Sequence, residues 1–243
     1  LLVVALSGCD FDQAYSAWLA QRTDCPNPSW LLCDGFEAPS LDANTWTVNG
    51  GGGTVLLDNT RAKRGKQSVH VHLDGAPAGT SGQLQIWETV VAPASQATLF
   101  LRTYVYLPSS LAGMKVEFVE YQQTTDPFWG VFLQQEEDAS LSVIDYANQP
   151  SVYQKANTKL APDIWHCVEW ETLASAGASG GTSVWVDGND VGLDLSNALV
   201  LEPNPGLSSG QFGAIVPSML AGAPVDVWFD EVAMATTRIG CEL

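Results

Sequence analysis

Apolar and polar residues alternate with period two through most of the chain, the pattern of half-buried β-strands. Strands are predicted over 55–58, 68–73, 83–90, 98–107, 115–122, 129–134, 141–145, 164–171, 182–187, 210–215 and 225–234. Turn chemistry separates them, as at Asp74-Gly75, Pro108-Ser109, Asp187-Gly188-Asn189 and Asn204-Pro205-Gly206. Asn49 and Gly50 to Gly53 read as a flexible turn. No ten-residue helical pattern lies between the strands, which argues against a parallel α/β sheet. The expected fold is all-β: two antiparallel sheets packed as a sandwich. Helical spacing occurs only at Phe11, Tyr15, Trp18 and Leu19, before Pro26 and Pro28, and predicts one short tether helix.

The last strand carries an irregularity. Val225, Val227 and Phe229 share one face, whereas Val232 and Met234 fall out of phase with them. Such a slip predicts a β-bulge at Asp230-Glu231. Two acids at a bulge also make a candidate metal seat.

Charge narrows the partners. The net charge is −17, and four of the ten bases sit together at Arg61, Lys63, Arg64 and Lys66. The remaining surface is strongly acidic and repels nucleic acid and other polyanions. At 243 residues the chain suits one sandwich domain, expected to be monomeric.

The chain opens on Leu1-Leu2-Val3-Val4-Ala5-Leu6, the tail of a secretory apolar region. Leu6-Ser7-Gly8-Cys9 resembles the lipobox of bacterial lipoproteins. The resemblance implies lipidation at Cys9, a membrane contact through that anchor alone, and export to the bacterial cell envelope. Residues 1–9 are then signal and lipobox, 10–32 tether and 33–243 the folded domain. The remaining cysteines, Cys25, Cys33, Cys167 and Cys241, suggest two disulfides with three possible pairings, and none has zinc-type spacing. First and last strands of a sandwich commonly lie side by side, which favours Cys33–Cys241 and leaves Cys25–Cys167.

Five stretches occur together in order: Cys33-Asp34-Gly35-Phe36-Glu37, residues 61–71, Trp165-His166-Cys167-Val168-Glu169-Trp170, Val184-Trp185-Val186-Asp187-Gly188 and Trp228-Phe229-Asp230-Glu231-Val232. This set resembles the concanavalin A-like jelly-roll proteins of the glucuronan-lyase-like kind, secreted by cellulolytic fungi and soil bacteria. The resemblance covers about residues 33–241. It implies a structural calcium ion joining the first strand to the last, with Glu37 and Asp230 as ligands and further oxygens from a turn near residues 64–68.

It also implies a polysaccharide partner bound across one concave sheet, where aromatic faces stack on sugars and amides bond hydroxyls. Candidate glycan-binding residues are Arg102, Glu120, Gln122, Gln134 and Tyr146. A polysaccharide lyase acting by β-elimination on a glucuronan-like polyuronate is the alternative, with Arg102, Gln122 and Tyr104 in the reaction. Gln85-Ile86-Trp87 is similar to the Gln-Ile-His of alginate-lyase jelly rolls, but Trp87 replaces the His, which counts against that chemistry. Glu117 and Glu120 are three apart and are expected on opposite sides of a regular strand, unlike a retaining hydrolase pair. His70 and His72 share one face of their strand; they are read as solvent-facing, with a paired-histidine metal site as the alternative, and His166 is read as structural. The expected function is a glycan-holding envelope lipoprotein.

Overall fold

A computed structural model describes residues 27, 29–88, 98–123, 129–145, 152–173, 181–194 and 209–241. The expected two-sheet antiparallel sandwich is present. Numbered in chain order, one sheet runs β13 (Asn189–Asp190), β12 (Gly181–Val186), β11 (Trp165–Leu173), β6 (Thr98–Tyr106), β15 (Val225–Ala235), β4 (Ser68–Leu73) and β3 (Gly53–Asp58). Its eighth strand, β1 (Leu32–Asp34), pairs with β15. The facing seven-stranded sheet runs β10 (Val152–Lys159), β9 (Ser140–Asp145), β8 (Trp129–Gln135), β7 (Val116–Gln123), β14 (Ser209–Val216), β5 (Gly82–Glu88) and β2 (Trp46–Gly51).

The core lies between the sheets. Leu101, Val105, Val168, Trp170, Val184, Val227 and Phe229 of one sheet meet Leu84, Ile86, Phe118, Tyr121, Leu133, Val143 and Phe212 of the other. Alternation sends one side chain in two inward, as period-two sequence requires. The bulge in β15 is where the pattern places it. Pairing with β6 shifts register between Asp230 and Ala233, and Glu231 has φ 53°. The extra residue returns Val232 and Met234 to the core face beside Val227 and Phe229.

Two strands differ from expectation. The glycine-rich stretch is mostly strand: β2 and β3 flank a single bend at Gly52 (φ 85°), where the chain passes from one sheet to the other, and a Cβ at Gly53 would collide with the His72 carbonyl. The glycines admit a close strand-to-strand approach. Strand β10 was not foreseen, because Val152-Tyr153-Gln154-Lys155-Ala156-Asn157-Thr158-Lys159 is an edge with one deeply buried residue, Ala156.

The disulfides are also corrected. First and last strands do pair, with Cys33 opposite Ala233, but Cys241 bonds Cys167 rather than Cys33. Cys33 is disulfide-bonded to a partner outside the described residues. The reason is the path of the tail. Beyond Ala235 the chain turns back over β6 to β11, where buried Glu169 accepts the backbone N–H groups of Ile239 (2.6 Å) and Gly240 (3.0 Å) and pairs with Arg238 (3.1 Å). The Tyr104 hydroxyl donates to the Cys241 carbonyl at 2.5 Å, and Tyr104 is the register neighbour of Cys167.

Candidate functional site

The side of the seven-stranded sheet turned away from the core is polar, yet much of it is shielded from water. Two cross-strand rows define it. One runs Tyr153, Ile144, Phe132, Glu120, Gln211; the next runs Lys155, Ser142, Gln134, Glu117, Ile215. Gln85 lies beside Glu120, with its amide 3.2 Å from the carboxylate, and Gln83 bonds Gln85 at 2.8 Å. Gln85, Glu117, Glu120, Gln134, Ser142 and Gln211 are all buried.

These rows overturn the expectation for the two glutamates. Register between β7 and β8 shifts between Glu117 and Val119, so Phe118 and Val119 both face the core. The bulge turns Glu117 and Glu120 onto the same outer face. Burial pushes each carboxyl up to about 7, and the Glu117 charge raises that of Glu120 further, against the lowering bond from Gln85. Gly130 leaves room here: a Cβ would stand 2.9 Å from the Glu120 Oε1.

At the β8–β9–β10 end, Glu136 gathers a second cluster. Its Oε1 accepts from Gln134 (2.5 Å), Tyr153 (3.0 Å) and the Ser142 hydroxyl, while its Oε2 faces the Lys115 ammonium at 3.1 Å. Burial favours the neutral acid, but the bonds from Ser142, Lys115, Gln134 and Tyr153 outweigh it and hold the Glu136 carboxyl below its usual value. Burial and the Glu136 bond raise the Tyr153 phenol. The Gln134 carbonyl oxygen is buried and has no hydrogen-bond partner among the described residues. A buried acceptor left open in this way suits a ligand hydroxyl.

Of the proposed glycan residues, Glu120 and Gln134 stand on this face. Arg102, and Tyr104 of the lyase alternative, do not. They lie on β6 of the other sheet, on its outer side, because Leu101 and Val105 take the core side. Arg102 is wholly buried, donating to the Glu231 carbonyl at 3.2 Å and lying over the Trp30 ring at 5.3 Å. The two share one face of β6, but alternation along a strand does not say to which sheet that face belongs. Gln122 lies in β7, its backbone opposite Gly130 of β8 and Ser209 of β14; its side chain is outside the described set, as is all of Tyr146. Cys9 and Cys25 are also outside it. Missed in the sequence were Gln211 and Glu136. Alternation in β14 would have put Gln211 opposite Phe212, but Glu136 lies just beyond a strand end.

Glu37 and Asp230 close on one turn. Asp230 Oδ2 accepts the N–H groups of Lys63 (2.7 Å) and Arg64 (3.0 Å), and Glu37 Oε1 accepts those of Lys66 (2.8 Å) and Gln67 (3.2 Å). The Gln67 amide bridges the Phe36 and Ala38 carbonyls, 2.6 Å from each. Carboxylate and carbonyl oxygens therefore surround this turn, a hard donor set of the kind calcium prefers. His166 bonds Asp187 (2.7 Å) and the Ala161 carbonyl (3.0 Å), consistent with a structural role.

No protein-family model matches the sequence, and no curated protein is recognisably similar to it. Solved structures share its fold. A cellulose-induced protein, Cip1, is 23% identical, covers 87% of this chain and 100% of its own, and superposes with a TM-score of 0.66. The endo-β-1,4-glucuronan lyase of the fungus Trichoderma reesei is 15% identical, covering 82% of this chain and 94% of its own at a TM-score of 0.66. The alginate lyase vAL-1 of Chlorella virus is 13% identical, covering 79% and 93%, at 0.60. At these identities the likeness establishes the jelly-roll sandwich.

Proposed function

We propose that this protein binds polysaccharide across the outer face of its seven-stranded sheet. The observation that carries the reading is the row of buried amides and near-neutral acids, Gln85, Glu120, Gln211, Gln134 and Glu117, on a face that would otherwise be apolar or charged. Amides and protonated carboxyls offer donors and acceptors to sugar hydroxyls without the desolvation cost of full charges. The described cations of this face, Lys115 and Lys155, are paired with Glu136 and Asp138, which favours a neutral glycan over a polyuronate. The likeness to a cellulose-induced protein and to two polysaccharide lyases supports a polysaccharide partner.

A lyase reading has one specific support: two acids poised near neutrality, as a general base requires, on the face that also carries the Tyr153–Glu136 pair. Incubating the folded domain with neutral glucans, glucuronan and alginate separates the two. Retention on a neutral glucan, weakened at least tenfold by Gln134→Ala, with no unsaturated uronate formed, is expected. Release of unsaturated oligouronates, abolished by Glu120→Gln, would replace the binding reading by the lyase.

We also propose that calcium sits between Glu37, Asp230 and the carbonyls of their shared turn, tying β1 to β15, and that Cys9 is lipidated and holds the protein at the cell envelope. Acyl chains contribute about 0.8 kcal/mol per buried CH₂, so several chains give stable anchoring. Cys9→Ala should shift the full-length protein from the membrane to the soluble fraction; unchanged partition refutes the anchor.

A further inference from the structure

The outer face of the eight-stranded sheet carries a cluster that glycan binding does not use. His70 and His72 sit two apart on β4 and so share a face, and Asp226 of β15 is the register partner of His72. The expectation that both histidines merely face solvent is incomplete. Their rings are only partly exposed, and both turn a nitrogen to one oxygen: His70 Nε2 lies 2.8 Å, and His72 Nδ1 2.7 Å, from Asp226 Oδ1.

We propose that His70 Nε2, His72 Nδ1 and Asp226 Oδ1 form a three-ligand site for a divalent transition metal of the zinc type. Three features of the geometry support it. First, the two imidazoles converge on a single carboxylate oxygen instead of spreading over both, so all three ligand atoms lie within 4.8 Å of one another. Tetrahedral zinc with bonds of about 2.0–2.1 Å spaces its ligand atoms by roughly 3.3 Å. Opening the two His–Asp226 contacts by about half an ångström and bringing the ring nitrogens to a similar spacing, within side-chain motion, admits the ion.

Second, each ring is held from behind. His70 stacks on Trp228, with centroids 4.2 Å apart and planes 3° from parallel, and the Trp228 N–H is fixed by Asp58 at 2.7 Å. The far nitrogen of His72, Nε2, faces Asp74 at 3.5 Å. A carboxylate on the non-ligating nitrogen is the usual orienting partner of a metal-bound histidine.

Third, the side chains are 17%, 31% and 23% exposed, so one side of the cluster opens to water. Water would complete the coordination shell there. Imidazole nitrogen with one carboxylate oxygen suits zinc, copper or nickel and not calcium, which distinguishes this site from the all-oxygen turn at Glu37 and Asp230. The ion would clip β4 to β15 on the sheet's outer surface and leave a position for an exogenous donor.

The test is zinc titration of chelator-stripped protein against a chromogenic competitor. One tight equivalent is expected, weakened at least 100-fold in His72→Ala and in Asp226→Asn, and about tenfold in Asp74→Asn. Each variant is compared by its metal-free melting curve, so that loss of metal is read only from folded protein. Copper(II) loaded into the wild type supplies a readout free of substitution. Its electron paramagnetic resonance spectrum should show coupling to two imidazole nitrogens, falling to one in His70→Gln. Absence of nitrogen coupling in the wild type, or an unchanged zinc affinity in folded Asp226→Asn, overturns the site.

Discussion

Replacing Glu120 by Gln should stabilise the protein in alkaline buffer and leave it nearly unchanged in mild acid. The Glu120 carboxyl is raised from 4.5 to about 7, chiefly by burial. A folded-state value above the unfolded one means that its stabilising contribution is fully present below pH 4.5 and is lost as the pH rises through 7. The gap, 7 minus 4.5, is about 2.5 pH units, or roughly 3 kcal/mol at about 1.36 kcal/mol per unit. Most of that loss falls between about pH 5 and pH 8.5. Gln keeps the shape and the bond to Gln85 by turning its amide, and it never ionises. It also removes the like charge that Glu117 would meet. Urea unfolding of wild type and Glu120→Gln at the two pH values gives the double difference directly. Asp230, also raised, contributes to the slope in both proteins and cancels, whereas Glu117, coupled to Glu120, adds to the difference in the same direction. A stability difference that is the same at both pH values would refute the burial of this carboxyl. Glycan retention should decline over the same interval, because the neutral acids lose their O–H donors as they ionise.

Three further outcomes follow from the described contacts. Calcium should raise the melting temperature of the wild type in proportion to the logarithm of its concentration and leave Asp230→Ala unmoved; identical responses would mean that the backbone amides alone hold these acids. Arg102→Ala should cost several kcal/mol, about 3–5 by comparison with other broken buried ion pairs, yet leave glycan affinity of the folded fraction within twofold, as read by urea unfolding and glucan retention. Non-reducing peptide mapping should recover Cys167 joined to Cys241, and Cys167→Ser should lower stability by about 2–5 kcal/mol in a denaturant titration.

Period-two alternation made the strands and the sandwich legible, and the phase slip in β15 located its bulge to the residue. The same logic failed at Glu117 and Glu120, because the apolar pair Phe118-Val119 marks a second bulge that reads, in sequence, as an ordinary run in a buried strand. Alternation assigns residues to a face but not to a sheet, and this is why Arg102 stands among the glycan candidates with Glu120 and Gln134. The glycines at 50–53 were misread for a related reason: a close approach of backbones and a flexible turn call for the same residue. The cysteine pairing depended on a tail that leaves its strand and crosses a neighbour, guided by Glu169, and no local pattern announces such a path.

The position of β14 and β15 bears on how the chain reaches its native state. In each sheet the strands made earlier form two separate blocks, β13 to β6 and β4–β3 in one, β10 to β7 and β5–β2 in the other, and β15 and β14 are the pieces inserted between them. Neither sheet can be continuous until residues beyond 209 are available. Contacts of such long sequence separation make folding slow and late. A chain still being synthesised therefore stays open, with the edges of β4, β5, β6 and β7 unpaired. That delay leaves any product cut short before β14 as four separate strand blocks with exposed edges, a form prone to aggregate.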